Sequence, residues 1–259
     1  MTLFAALLAL FVGLSLGLLG GGGSILTVPI FRYALDMGVK ESIGMSLGVV
    51  SVTSLVGALR HWHKGNLDLK ALVTFAPAAI VSTYLGARLA RYVPPTMQLV
   101  GFAMVMLPAA LMMWQRGASD PGPQASGSKE GEALAPVAGV FPGAAKVVAI
   151  GIGLGVLTGI LGVGGGFLIV PALVLFLGLD MKRAVGTSLG VISLNAASGF
   201  VGYLGQVTMD WPLMAGFTGV AVAAVFGGAA LVPKVSTQQL RRGFALFLIV
   251  IAAYILYRR

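Results

Sequence analysis

The sequence predicts an all-α integral membrane protein with about eight transmembrane helices, in two tandem four-helix repeats that each begin with a Gly-rich broken or re-entrant element. Three observations support this fold class. Of 259 residues, 58% are hydrophobic and only 10% are charged, which is too little polar surface for a water-soluble globule. The apolar runs approach the roughly 18 residues that cross a bilayer. The third observation is an internal repeat.

Each residue of the first half matches the residue 142 positions later, without insertions from the first membrane segment to near the last. The agreement is densest for Gly17–Pro29 with Gly159–Pro171, and for Gly44–Ser51 with Gly186–Ser193. Such a tandem duplication predicts that the two halves share one fold.

Four membrane spans are predicted in each half. Those of the first half are Thr2–Leu19, Ile43–Leu59, Ala71–Leu89 and Met97–Trp114. Those of the second half are Ala144–Leu161, Val185–Leu204, Pro212–Leu231 and Arg242–Tyr257. Residues 117–142 are rich in Gly, Pro, Ser and Ala, which is typical of a flexible linker outside the bilayer. The predicted domains are therefore a first membrane repeat (1–116), this linker (117–142) and a second membrane repeat (143–259).

The stretches Ser24–Leu35 and Gly166–Leu177 are apolar but only about twelve residues long, a length more typical of re-entrant segments than of full crossings. Each predicts a broken first element whose glycine loop lies at membrane depth. Four crossings per half would make the two repeats parallel, whereas five would make them inverted. The sequence leaves both arrangements open.

Composition excludes several classes of function. The absence of cysteine excludes disulfides and thiolate chemistry, and two histidines at positions 61 and 63 are too few for a multi-histidine metal cluster. The sequence therefore predicts no metal, no cofactor and no enzyme. The net charge of +9 is explained by basic loops that orient the helices, so no nucleic acid partner is predicted.

Acidic residues are predicted only in loops and at helix ends. They are Asp36, Glu41, Asp68, Asp120, Glu130, Glu132, Asp180 and Asp210. Because a cation site at membrane depth normally needs a carboxylate there, the pattern favours an anion as the transported species.

The second helix of each half carries a polar stripe at the same spacing. Ser46, Thr53 and Gly57 share one helix face, and Ser188 and Asn195 stand at the places of Ser46 and Thr53 in the second half. Two facing stripes would form a polar passage through an apolar bundle. The alternative is that these residues only join helices by hydrogen bonds.

The glycine runs supply backbone amides without bulky side chains, beside the start of a short helix, and such an arrangement binds anions. Together with the stripes they give the predicted substrate-binding residues: Gly20, Gly21, Gly22, Gly23, Ser24, Ser46, Thr53, Gly162, Gly164, Gly165, Gly166, Thr187, Ser188 and Asn195. His61, at the end of the first stripe, is the candidate for proton coupling. No catalytic residue is predicted.

Several motifs resemble the TauE/SafE sulfite exporter family. They are the Gly-rich break before Val-Pro, the Gly-Thr-Ser-Leu run at 186–189, and the helix endings at 61–68 and 203–210. The resemblance covers nearly the whole chain except the linker. It implies a multi-pass permease of the bacterial cytoplasmic (inner) membrane for small sulfur-containing anions, such as sulfite or organosulfonates.

The leading hypothesis is a secondary carrier that binds its substrate between the two repeats, and the alternative is a passive anion channel with the same lining residues. The predicted partners are a small anionic substrate and the lipid bilayer, with a homodimer as an open alternative. The substrate itself, the direction of transport and the coupling ion are left open.

Overall fold

The computed structural model describes residues 3–105, 144–162 and 181–231, together with positions 107, 169, 170, 173, 179, 246, 249 and 253. Nearly all of these residues are helical, and the β pairing among them is an isolated bridge between Leu204 and Val207. The predicted all-α fold class is confirmed. The linker at 117–142 and most of the predicted span Arg242–Tyr257 lie outside the described residues.

Helices stand at the predicted places along the described chain. They are α1 (Leu3–Leu19), α2 (Val39–His63), α3 (Leu69–Leu89), α4 (Pro95–Val105), α5 (Ala144–Leu161), α6 (Met181–Tyr203) and α7 (Trp211–Leu231). Among the described residues, three stretches are long and apolar enough to cross a membrane: Val39–His63, Leu69–Tyr92 and Arg183–Tyr203. The others, including α1 and α7, contribute shorter apolar helices.

Two equivalent aspartates fix the starts of equivalent helices. The Asp68 carboxylate accepts a hydrogen bond from the Ala71 amide at 2.9 Å and begins α3, while Asp210 accepts one from the Leu213 amide at 2.9 Å and begins α7. Each carboxylate satisfies an amide that has no partner within its helix and lies at the positive end of the helix dipole. The duplicated sequence thus produces a duplicated cap.

The chain between α1 and α2 forms a broken segment, defined here as Gly20–Ala34. It consists of a 3-10 helix (Gly20–Leu26), one α turn (Thr27–Pro29) and a π turn (Ile30–Ala34). Glycine has the lowest α-helix propensity apart from proline, so a run of four glycines ends α1 and allows the tighter 3-10 turn. The predicted break is therefore present.

The most extensive helix contacts join the two halves: α3 with α5, α1 with α7, and α2 with α6. Equivalent residues make equivalent contacts. A Cβ built on Gly13 would lie 2.2 Å from the carbonyl oxygen of Ala221, and one built on Gly155 would lie 2.7 Å from that of Ala79. Glycine therefore lets these backbones touch, as small residues commonly do in membrane helix pairs.

Helices α2 and α6 cross in opposite directions. A Cβ built on Gly44, which lies near the start of α2, would be 3.5 Å from the Cβ of Tyr203 at the end of α6. At the crossing point the Ser193 hydroxyl donates to the Ser51 carbonyl at 3.0 Å, and these residues are equivalent in the repeat. A two-fold axis perpendicular to the helices generates such a crossing. Of the two open alternatives, the structure therefore has the inverted arrangement.

The inverted arrangement requires α5 and α6 to run in the same direction, and both are parallel to α3. Along α5, glycines at every fourth position contact successive turns of α3, with Gly151, Gly155 and Gly159 against Phe75, Ala79 and Thr83. Along α6, Ser198 donates to the Ile80 carbonyl at 2.7 Å and Gln206 donates to the Ala87 carbonyl at 3.2 Å. The end of α5 and the start of α6 therefore lie at opposite ends of the bundle.

In the first half, the broken segment joins the equivalent helix ends, which are the end of α1 and the start of α2. Gly23 packs against the backbone of Leu16 near the end of α1. Further along, the ring centroids of Phe31 and Phe217 are 4.9 Å apart. Phe217 lies about one helical turn before Ala221, the α7 residue that packs against Gly13 of α1. The segment thus runs back along α1 towards its start. It is a broken element that continues to the other end, rather than a re-entrant piece that returns to its own end.

We expect Gly155→Leu to lower the apparent Tm of the detergent-solubilised protein by several degrees, because its side chain would meet the α3 backbone and overpacking costs about 1–3 kcal/mol. Gly153→Leu, on the same helix, is the matched control, since a Cβ there meets no atom of the described chain within 4 Å. Equal Tm values for the two variants, measured by fluorescence-detected size-exclusion chromatography, would contradict the packing described here.

Candidate functional site

Buried polar side chains concentrate on the two helices that cross at the centre. Those on α2 are Ser42, Ser46, Thr53 and Ser54, and those on α6 are Thr187, Ser188, Ser193 and Asn195. Both helices pair across the two halves, so the structure places the two predicted stripes at one interface. Whether a stripe residue can contact a ligand depends on the hydrogen bonds that its side chain already makes.

Three of the predicted residues are engaged by the protein. The Thr53 hydroxyl donates to the Val49 carbonyl at 2.8 Å, and Ser188 donates to that of Val185 at 2.8 Å. Thr187 accepts a hydrogen bond from the Asp68 amide at 2.9 Å. An anion needs donors, and Thr53 and Ser188 have already donated their only proton. For these two side chains the structure favours the alternative role within the helix.

Asn195 is different. Its side chain is fully buried, and neither its amide nitrogen nor its oxygen has a hydrogen-bond partner among the described residues. The hydroxyls of Ser46, Ser54 and Thr83 are also buried and unpaired within the described chain. An unpaired buried polar group costs about 1–3 kcal/mol, so these side chains are among those on the described helices that still have hydrogen bonds to offer.

The first glycine run is not an open loop. Gly20, Gly21, Gly22 and Gly23 lie within the 3-10 helix, which contacts α6 of the other half. Ser24 is fully buried, and its carbonyl accepts from the Thr27 hydroxyl at 3.2 Å. The expectation of free loop amides is therefore wrong for this run, since a 3-10 helix pairs its amides internally. Its place against α6 nevertheless brings it to the interface that holds the stripes.

The second glycine run begins with Gly162. Its φ of +69° is a left-handed conformation that favours glycine, and a Cβ there would lie 2.3 Å from Cγ2 of Ile43 on α2. Gly164, Gly165 and Gly166 lie outside the described residues. The end of α5 thus meets the helix that carries the stripe of the other half.

His61 and Tyr203 are equivalent residues with different surroundings. His61 is half-buried, and its Nδ1 has no partner in the described chain. Tyr203 is fully buried and donates to the Ile160 carbonyl at 3.2 Å, while Gln98 Nε2 donates to that carbonyl at 3.2 Å and to the Tyr203 hydroxyl at 3.3 Å. The two ends of the α2/α6 pair are therefore unlike.

Sequence reasoning missed Thr83 and Gln98. The counterpart of Thr83 is Val225, so the repeat gave no signal for it. A lone glutamine in an apolar span could have identified Gln98. No cluster of three or more His, Cys, Asp or Glu residues that could hold a metal ion occurs in the part of the chain that the structure describes.

Comparison with known proteins gives consistent matches. The family model described as Sulfite exporter TauE/SafE matches residues 5–255. A probable membrane transporter protein of Xylella fastidiosa (strain 9a5c) is 28% identical over 250 residues, covering 95% of this chain and 92% of its own. The probable membrane transporter protein YdhB of Bacillus subtilis is 26% identical, covering 86% and 89%. MJ0441 of Methanocaldococcus jannaschii, a probable membrane transporter protein, is 27% identical, covering 90% and 89%. No solved structure matches the chain.

We expect Asn195→Leu to raise the apparent Tm by a few degrees, because it removes a buried amide without partners in favour of an apolar side chain of similar shape. Ser198→Ala on the same helix should lower the Tm slightly, because it removes the hydrogen bond to Ile80. The measurement is thermal unfolding in detergent. A lower Tm for Asn195→Leu than for Ser198→Ala would show that the amide stabilises the fold.

Proposed function

We propose that this chain, which belongs to the sulfite exporter family TauE/SafE and is a membrane transporter rather than an enzyme, is a secondary carrier for small sulfur-containing anions such as sulfite or organosulfonates. The substrate binds between the two halves, at the crossing of α2 and α6. The observation that carries the proposal is Asn195, fully buried at this interface with both amide atoms unpaired in the described chain.

The architecture supports a carrier. Inverted repeats that meet at the bilayer midplane, with a broken helix beside the meeting point, are characteristic of secondary transporters. Here α2 and α6 cross at equivalent serines, and the 3-10 helix of the broken segment contacts α6. The proposed domains are the first membrane repeat (1–116), the linker (117–142) and the second membrane repeat (143–259).

The charge distribution supports an anion. The carboxylates of the described residues are at helix ends or in loops: Asp36, Glu41, Asp68 and Asp210. A cation at membrane depth would need one of them near the crossing point. Neutral donors such as amides and hydroxyls instead replace part of an anion's hydration shell.

The bacterial cytoplasmic membrane is the proposed location. The relatives in Xylella fastidiosa and Bacillus subtilis carry the name probable membrane transporter protein. Sulfite and organosulfonates are proposed from the family. A homodimer is the proposed alternative to a monomer, and chemical cross-linking in native membranes tests it.

A passive anion channel with the same lining residues is the second candidate. Purified protein in liposomes distinguishes the two functions. We expect liposomes preloaded with unlabelled sulfite or sulfonate to accumulate labelled substrate transiently above equilibrium, because a carrier exchanges substrate across the membrane. Asn195→Leu should reduce this counterflow at least about tenfold, whereas Ser198→Ala should retain it. Saturable counterflow that is insensitive to Asn195→Leu would place the site elsewhere, and anion current without counterflow would favour the channel.

His61 is the proposed coupling residue, as the histidine at the end of the first stripe. We expect His61→Gln to flatten the dependence of organosulfonate uptake on pH between about 5.5 and 7.5, the range around the ordinary histidine pKa of about 6.5, because a sulfonate does not itself titrate there. His63→Gln is the matched control, since His63 is exposed two residues away. A full pH response in His61→Gln would exclude a coupling role for this side chain.

A further inference from the structure

We infer that the substrate is a singly charged oxyanion that carries its own hydrogen-bond donor, and that Asn195 and Thr83 recognise it on the α3 side of the crossing. The inference rests on the proposed function and specifies its substrate class. A hydrogen-bearing oxyanion such as bisulfite and a sulfonate with a hydroxyl or ammonium group share this chemistry.

The amide of Asn195 leaves both a donor and an acceptor unpaired in the described chain. A ligand that offers only acceptors would satisfy the amide nitrogen but would leave the amide oxygen facing a negative charge. An unpaired buried acceptor is costly, and a site built to bond a hydroxyl or N–H group rejects an analogue that lacks it. The ligand that satisfies the whole amide therefore offers an oxygen acceptor and an O–H or N–H donor.

Thr83 lies at the helix junction next to Asn195. Asn195 lies one turn before Gly199, on the same face of α6. A Cβ built on Gly199 would lie 3.1 Å from Cγ2 of Thr83 on α3 and 3.1 Å from Cδ1 of Leu47 on α2. The three helices thus meet within about one turn of Asn195. Thr83 is fully buried, and its hydroxyl is unpaired within the described residues, so it provides a further donor at this junction.

The equivalent place in the other half carries different side chains. Thr53, the counterpart of Asn195, donates to the carbonyls of Val49 and Val50. Val225, the counterpart of Thr83, has no polar atom in its side chain. The backbone arrangement is two-fold, but the recognition groups are on one side. The site is therefore off the axis, towards α3.

The charge of the ligand follows from where the basic residues of the described helices lie. In the described parts of α2, α3 and α6, lysine, arginine and histidine occur only near the helix ends: Lys40, Arg60, His61, His63, Lys70, Arg88, Lys182 and Arg183. Within these described parts, the polar side chains near the crossing point are neutral. Since desolvating a second negative charge without a cation is prohibitive, the site fits a monoanion.

Two sulfonates of equal chain length test the inference: 2-hydroxyethanesulfonate, and 1-propanesulfonate, in which a methyl group replaces the hydroxyl. Each is added as an inhibitor of sulfite counterflow in proteoliposomes. We expect the hydroxylated compound to inhibit at a concentration at least about tenfold lower, a difference of about 1.4 kcal/mol. Asn195→Leu should remove the preference, Thr83→Val should reduce it, and Ser198→Ala should retain it.

The outcomes separate the two proposals. Equal inhibition by the two compounds, inhibition by neither, or a preference retained in both Asn195→Leu and Thr83→Val would overturn the inference while sulfite counterflow still supports the carrier. Loss of all counterflow in the wild-type protein, for sulfite and for both sulfonates, would overturn both.

Discussion

Close backbone contact between helices of different halves is the interaction on which this structure depends. In a bilayer, apolar side chains gain little by leaving lipid for protein, so helix association relies on van der Waals packing at small residues. Glycines supply this packing at Gly13 with Ala221, Gly155 with Ala79 and Gly86 with Val156. Each of these contacts crosses between the halves, so neither half reaches its packed form without the other.

This dependence explains why the repeat is so visible in the sequence. A glycine that permits contact with a carbonyl cannot be replaced by a larger residue unless the neighbouring helix moves, and both copies of the contact impose the same demand. The polar residues are not required to be the same in both halves by such a contact. Asn195 and Thr53 occupy equivalent positions, yet one amide is unpaired among the described residues and the other side chain is bonded within its own helix. The backbone arrangement of the two halves is therefore symmetric, whereas their polar side chains are not.

The sequence predicted the helical membrane class, the duplication, the break after α1 and the two polar stripes. It left open the relative direction of the halves, because that depends on whether the segment after the glycines reaches the other end of the bundle. It also did not predict that Gly20–Leu26 would form a 3-10 helix. Nor could it separate Ser188 from Asn195, since only packing decides which side chains find partners inside the protein. Thr83 was not predicted as a site residue because its place near Asn195 depends on a tertiary contact with Gly199, which the sequence does not show.

The hydrogen bonds around Tyr203 have a thermodynamic consequence. In a protein made of two identical inverted halves, separating the helices at either end of the central pair would require the same free energy. Here Gln98, Tyr203 and the Ile160 carbonyl are joined at one end, whereas His61 at the other has an unpaired Nδ1 within the described chain. Near the His61 end the halves are joined by other bonds, since the Asp68 amide donates to Thr187 and Arg60 donates to the Phe226 carbonyl. The duplicated frame is therefore held together by different hydrogen bonds at its two ends, which gives it a polarity that an exact repeat would not have.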